Sequence, residues 1–301
     1  MIAAFLATWL FALSSVAAKR SVSLLGSSTA SLVRIVLAAT VLGIYAHGWG
    51  AGLGGVALGW FIVSGLIGFG ICDTAIFLAL PLLGAQLTSL MVQCLAAPIA
   101  AVVEWAWLGT RLGTVEVAAG ASILVGVAVA LFPGRGRSPT SGIGGKAFAL
   151  GLVAAAGQAV GAVLSRHGQL LAKTAGEPID GMSVAYQRIL AGVAFTWVWW
   201  LWQRGRVPAA SGGSGAATGT PWRRAWPWVV VNALSGPSLG VACYQWAFQV
   251  QPTGVVMSIT ALTPLAVVPL AWWLDGERPA ARPLFGGAVA VAGAVWLAST
   301  R

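Results

Sequence analysis

The sequence predicts an all-α polytopic membrane protein with ten transmembrane helices arranged as two inverted five-helix repeats. Three observations carry that expectation. Of 301 residues, 58% are AVILMFWYC and only 8% are charged, and the mean hydropathy is +0.86. Soluble chains carry about 25% charged residues. Apolar runs of membrane-spanning length follow one another with short breaks, and the two halves match at a constant offset. This composition excludes a secreted disulfide scaffold, a disordered tail protein and a soluble enzyme on a membrane anchor.

A bilayer core of about 30 Å takes roughly 20 residues of helix. The first run, 1–18, ends in Ser14-Ser15-Val16-Ala17-Ala18, which is like a leader-peptide cleavage site. Its positive charges, Lys19 and Arg20, follow the apolar stretch instead of preceding it, so it reads as a retained span. Further runs lie at 29–46, 56–79, 85–108 and 114–132. Pro81 and Gly84 supply the break between the third and fourth. The second half carries runs at 147–165, 182–202, 226–248, 253–274 and 283–299. The expected units are therefore a first repeat over 1–132, a linker over 133–146 and a second repeat over 147–301. A flexible loop is expected at 203–225, around the tract SGGSGAATGT.

The halves align residue by residue. Gly109-Thr110-Arg111 matches Gly276-Glu277-Arg278 at an offset of 167. The same offset pairs Gly120 with Gly287, Gly126 with Gly293, Gln86 with Thr253, Gln93 with Thr260 and Trp105 with Trp272. Arg34-Ile35 matches Arg188-Ile189 at 154, and the loops account for the change. Five spans is an odd number, so the second half enters the bilayer from the opposite side, as in many secondary transporters.

Taken together, these residues resemble the EamA family of the drug/metabolite transporter superfamily. The likeness rests on Ser31-Leu32-Val33-Arg34 and Tyr186-Gln187-Arg188. It rests also on Pro264 followed by Gly276-Glu277-Arg278, and on the Gly-rich span after each such turn. The first half departs from the pattern, with Thr110 where the family has Glu and Ala97 where it has Pro. The resemblance implies ten helices, a central cavity and export or exchange of small metabolites.

Polar groups inside hydrocarbon are costly unless paired, so they face the bundle interior. Gln86, Ser89, Gln93 and Ala97 share one face of the fourth span, and Thr253, Met257, Thr260 and Pro264 form the matching stripe in the ninth. Each stripe reads either as a cavity wall or as a small-residue packing face. The eighth span adds Asn232, Tyr244 and Gln245 around Pro237, and the sixth adds Gln158 inside Gly157-xxx-Gly161. Trp9, Tyr186 and Gln187 complete the expected substrate contacts.

Asp73 lies inside the third run. A carboxylate there is able to carry a proton or recognise a cation; the competing readings are an ion pair with Arg34 or Arg188 and a protonated Asp hydrogen-bonded to a carbonyl. Glu104, expected to reach the interface, is a second coupling candidate. Arg34 and Arg188 either neutralise an anionic substrate or serve as scaffold.

The net charge is +10, but 15 of 17 basic residues lie between apolar runs and read as topology signals facing lipid headgroups. No nucleic-acid partner follows. Loops after odd-numbered spans carry 11 Lys/Arg, against 4 in the opposite loops and C-terminus. The positive-inside rule then puts both termini outside, whereas the family resemblance implies cytoplasmic termini. Cys72, Cys94 and Cys243 read as packing residues, and His47 and His167 as isolated loop residues. No metal-ligand cluster, cofactor motif, Walker A sequence or catalytic pair is legible.

The expected function is secondary active transport of small metabolites, such as amino acids, by a non-enzyme of the bacterial cytoplasmic membrane. A lipid-linked carrier flippase and an intramembrane enzyme are the alternatives. Glycine pairs such as Gly55-xxx-Gly59 serve either internal packing or a homodimer contact.

Overall fold

The computed structural model describes residues 1–111, 113–131, 145–206, 220–275 and, beyond them, 285–286, 288–290, 292–293 and 296. Most of the expected linker, the centre of the 203–225 loop and the turn Gly276-Glu277-Arg278 lie outside the described residues. Among the described residues every regular element is helical. Among the described residues six helical stretches are long and apolar enough to cross a bilayer: Ile2–Leu25, Ser27–Gly48, Leu58–Leu83, Met91–Leu108, Gly145–Thr174 and Thr253–Leu270.

The first two helices are α1 (Ile2–Leu25) and α2 (Ser27–Gly48), split by Gly26 at φ +77°. α1 runs seven residues past the expected end, so Lys19 and Arg20 are helical. The Arg20 guanidinium stacks on Trp228, 4.2 Å from the ring centroid.

α3 (Leu58–Gly65) passes through a seven-residue π-helix, Leu66–Cys72, into α4 (Asp73–Leu108). α4 is helical throughout but not straight. Ala75, Val92, Cys72 and Ala154 share one apolar cluster, whereas a straight helix would part Ala75 from Val92 by roughly 25 Å. The chain therefore turns back between Leu80 and Thr88, at the expected Pro81–Gly84 break. α5 (Thr114–Leu131) and α6 (Gly145–Thr174) follow, and α6 continues well past residue 165.

α7 (Gly181–Arg206) precedes α8 (Thr220–Ala233), a second seven-residue π-helix, Leu234–Gly240, and α9 (Val241–Val250). α10 (Thr253–Thr260) and α11 (Thr263–Asp275) divide the expected ninth span at residues 261–262. The two π-helices begin 168 residues apart, close to the offset of the sequence match. π-helical turns are rare and concentrate at functional sites.

Close helix crossings occur in corresponding pairs. α1 lies antiparallel to the α8–α9 segment, with Ser14 Oγ donating to Asn232 Oδ1 at 2.7 Å. α6 lies antiparallel to the α3 segment, with Ser64 Oγ donating to the Gly161 carbonyl at 2.5 Å. α2 and α7 are antiparallel: Gly43 meets Tyr186 at one end, and Trp200 Nε1 donates to Thr29 Oγ1 at the other. Gly157 and Gly161 admit the crossing of α6 with the α3 segment, since a Cβ on Gly161 would sit 3.1 Å from the Gly68 Cα. Gly55 precedes α3 with φ +102°, so Gly55 and Gly59 do not form a helical stripe.

Candidate functional site

A cavity of about 150 Å³ lies where the two π-helices approach α1, α2, α6 and α7. One face of α1 enters it through Phe11, Ser14, Ser15 and Ala18, at the i, i+3, i+4, i+7 spacing of a single helix stripe. Both limbs of α4 contribute: Asp73, Ile76 and Phe77 before the turn, Ser89 and Gln93 after it. The remaining walls are Arg34, Gln158, Arg188, Tyr244 and the π-helical residues Gly68, Phe69, Gly236 and Pro237.

Arg34 Nη2 forms an ion pair with Asp73 Oδ2, and the two side chains are 6% and 14% exposed. The Arg34 guanidinium also lies 4.7 Å over the Phe77 ring. Removing two charges from water costs several kcal/mol each, and close pairing is what offsets it. Arg188 is the second cavity cation. Its Nε donates to Ser64 Oγ at 2.9 Å, and its guanidinium lies 5.4 Å from the Phe69 ring. Each arginine stands beside a π-helical glycine of the other half. A Cβ on Gly236 would lie 3.5 Å from Arg34 Nη1, and one on Gly68 would lie 3.0 Å from Arg188 Nη2.

A neutral polar strip completes the cavity. Gln158 Nε2 donates to Gln93 Oε1 at 2.6 Å, and the Ser15 and Ser89 hydroxyls meet at 3.3 Å. The Tyr244 hydroxyl sits beside Gln158 and Thr260 but closes a hydrogen bond with neither. The chamber thus combines aromatic walls, amide and hydroxyl groups, one neutralised cation and a second cation.

A model of the EamA-like transporter family matches residues 145–299, just over half of the chain. The chain belongs to the EamA-like transporter family. It is thereby a member of the drug/metabolite transporter superfamily and an integral membrane protein that handles small solutes. A solved crystal structure shares the fold at a TM-score of 0.70 and 20% identity, covering 99% of this chain and 96% of its own. No curated protein matches the sequence.

Within this EamA-like transporter, Asp73, Arg34, Arg188, Gln93, Gln158 and Tyr244 gather around the cavity. Other expected contacts stand elsewhere. Trp9 is 52% exposed and is not a lining residue; it stands two residues, or about 200° of helix rotation, from Phe11. Tyr186 reaches the end of α2, where its hydroxyl meets His47 Nε2 at 3.1 Å. Gln187 Nε2 donates to the carbonyls of Gly52 and Gly54, holding the 49–57 loop. Gln245 faces α6, accepting from Ser165 Oγ and Gln169 Nε2 at 2.7 Å each. Asn232 is behind the wall, bonded to Ser14, and Thr260 is fully buried against Met257. The Gln86 side chain lies outside the described residues.

Glu104 does not reach the interface. It is 2% exposed and ion-paired with Arg166, which the longer α6 brings into reach, and it accepts the Thr253 N–H at 2.8 Å. That bond satisfies an orphan donor at the start of α10. His167 is likewise no loop residue: it sits in α6 between Trp60 and Trp107, 4.6 and 4.9 Å away. Phe11, Ser14 and Ser15 were not singled out from the sequence as cavity residues, because none of them is a conspicuous polar interruption of the first apolar run. The helical spacing of these residues was the available signal.

Proposed function

We propose that this protein is a secondary active transporter, an exporter or exchanger of small metabolites in the bacterial cytoplasmic membrane, working by alternating access. Ten spans form two inverted five-helix repeats, 1–132 and 147–301, that rock about a shared cavity. The observation that carries this reading is the cavity itself, walled by both halves with an arginine from each. The reciprocal crossings support the inverted relation: α1 packs on the second π segment as α6 packs on the first. Ser15, Ser89, Gln93, Gln158 and Tyr244 contact the polar parts of the solute, and the aromatic walls take its apolar part. The Arg34–Asp73 pair is the coupling candidate, because protonation of Asp73 or competition for Arg34 would release the contact between α2 and α4. Glu104, buried behind α10, holds helices in place.

The test is profiling of extracellular solutes from cells expressing the wild-type chain or Asp73→Asn at matched membrane levels. Accumulation of specific small solutes outside wild-type cells, reduced by Asp73→Asn, is the expected result. If neither chain changes any solute in either direction, the transporter reading fails.

A further inference from the structure

The two cavity arginines are not equivalent. Arg34 is neutralised by Asp73. Arg188 is just as buried, at 5% exposure, yet among the described residues no carboxylate pairs with it. Among the described residues its one hydrogen bond is from Nε to Ser64, and the donors of both Nη groups meet no acceptor there. The other groups near it are Tyr244 and Cys72, neither of them anionic in their ordinary thiol and phenol forms. The Asp73 carboxylate is already engaged by Arg34, so the lining carries one cation in excess. A buried guanidinium without a counter-ion is costly. A fork of two Nη groups facing a cavity matches a carboxylate in two-point geometry.

The size and remaining lining narrow the partner further. A cavity of about 150 Å³ is the volume that takes a benzene-sized molecule. Phe11, Phe69, Phe77 and Tyr244 supply a ring-friendly wall. Asp73, engaged by Arg34, is the one carboxylate facing the cavity among the described residues, so an ammonium group would find no free counter-charge there. We infer that Arg188 is an anion-recognition residue and that the substrate is a small organic monocarboxylate with a compact aromatic-sized body. This rests on the transporter reading above, and it narrows that reading's cargo away from zwitterionic amino acids.

The test uses the purified full chain in a neutral detergent, at fixed pH and ionic strength, with benzoate, benzamide, benzylamine and phenylglycine as probes. Ligand that binds the folded chain raises its thermal unfolding midpoint in proportion to occupancy. Benzoate is expected to act at about a tenfold lower concentration than the uncharged or zwitterionic probes. Arg188→Gln is expected to erase that preference, and Arg188→Lys to keep part of it. Should Arg188→Gln not fold, Gly68→Ala provides the second variant. Its methyl group presses on Nη2 and is expected to weaken benzoate more than benzamide, narrowing the preference between them. Equal or better binding of benzamide or benzylamine by the wild type overturns the inference, as does failure of benzoate to shift the midpoint. Benzoate binding without counterflow in proteoliposomes would leave the anion site standing and remove the transporter reading. Flux of another solute class without benzoate preference would do the reverse.

Discussion

Gly126 and Gly293 pack reciprocally: a Cβ on Gly126 would lie 2.5 Å from the Ala290 amide nitrogen, and one on Gly293 would lie 2.2 Å from Ser122 Oγ. They are also one of the glycine pairs related by the offset of 167. Each lets the helix of the other half approach its backbone. The obstacles differ, because the atom facing Gly126 is main chain, whereas the nearest atom facing Gly293 is a hydroxyl able to rotate. Gly126→Ala is therefore expected to cost about 1–3 kcal/mol through overpacking, and Gly293→Ala less. Unfolding midpoints in detergent check the order; a larger loss for Gly293→Ala would contradict it.

The Arg34–Asp73 pair predicts strong non-additivity. Removing one partner of a buried pair costs about 3–5 kcal/mol, since the other charge remains in a low-dielectric site. Asp73→Asn and Arg34→Gln should each destabilise the chain by that order. The double variant, which buries no lone charge, should lose less than either single one. Thermal unfolding of the four chains measures this cycle, and simple additivity would argue against a paired, desolvated contact.

Glu104 is predicted to matter through two separate bonds. Glu104→Gln retains an acceptor for the Thr253 N–H but gives up the charge pairing with Arg166. Glu104→Ala removes both bonds, and the buried Thr253 N–H left unsatisfied costs about 1–3 kcal/mol more. Stability should fall in the order wild type, Gln, Ala. Equal loss for both variants would mean that the backbone bond contributes nothing.

Gln187→Ala is expected to act locally. Its amide ties the Gly52 and Gly54 carbonyls to α7. Losing it should raise protease cleavage within residues 49–57 while leaving solute preference unchanged. A change in solute selectivity would place Gln187 in the solute path.

Much of the fold was legible because lipid imposes one rule: every backbone polar group is satisfied within its own helix. Long apolar runs therefore marked helices, and Pro81 and Gly84 marked the turn inside α4. The cavity was legible at Gln93, Gln158, Tyr244 and Asp73, where a polar group interrupts an apolar run. It was less legible where helical periodicity shifts. A π-helix turn holds extra residues, so faces drawn at 3.6 residues per turn do not carry across Leu234–Gly240. Gln245, expected with the cavity residues, turns toward α6 instead. Trp9 and Tyr186 have the residue type of a solute contact but lie on faces that packing turns away from the chamber.

The sequence by itself determined the solvent, the helical class, the family and the internal match between halves, because composition and periodicity are local properties. Tertiary structure decided which of two like arginines keeps a counter-ion. Arg34 and Arg188 stand at equivalent positions in the sequence match, but only Arg34 meets Asp73, the carboxylate at the end of the first π-helix. At the end of the second π-helix stands Val241 instead. Charge pairing needs contact within a few ångströms across different helices, and no periodicity along one helix encodes that distance.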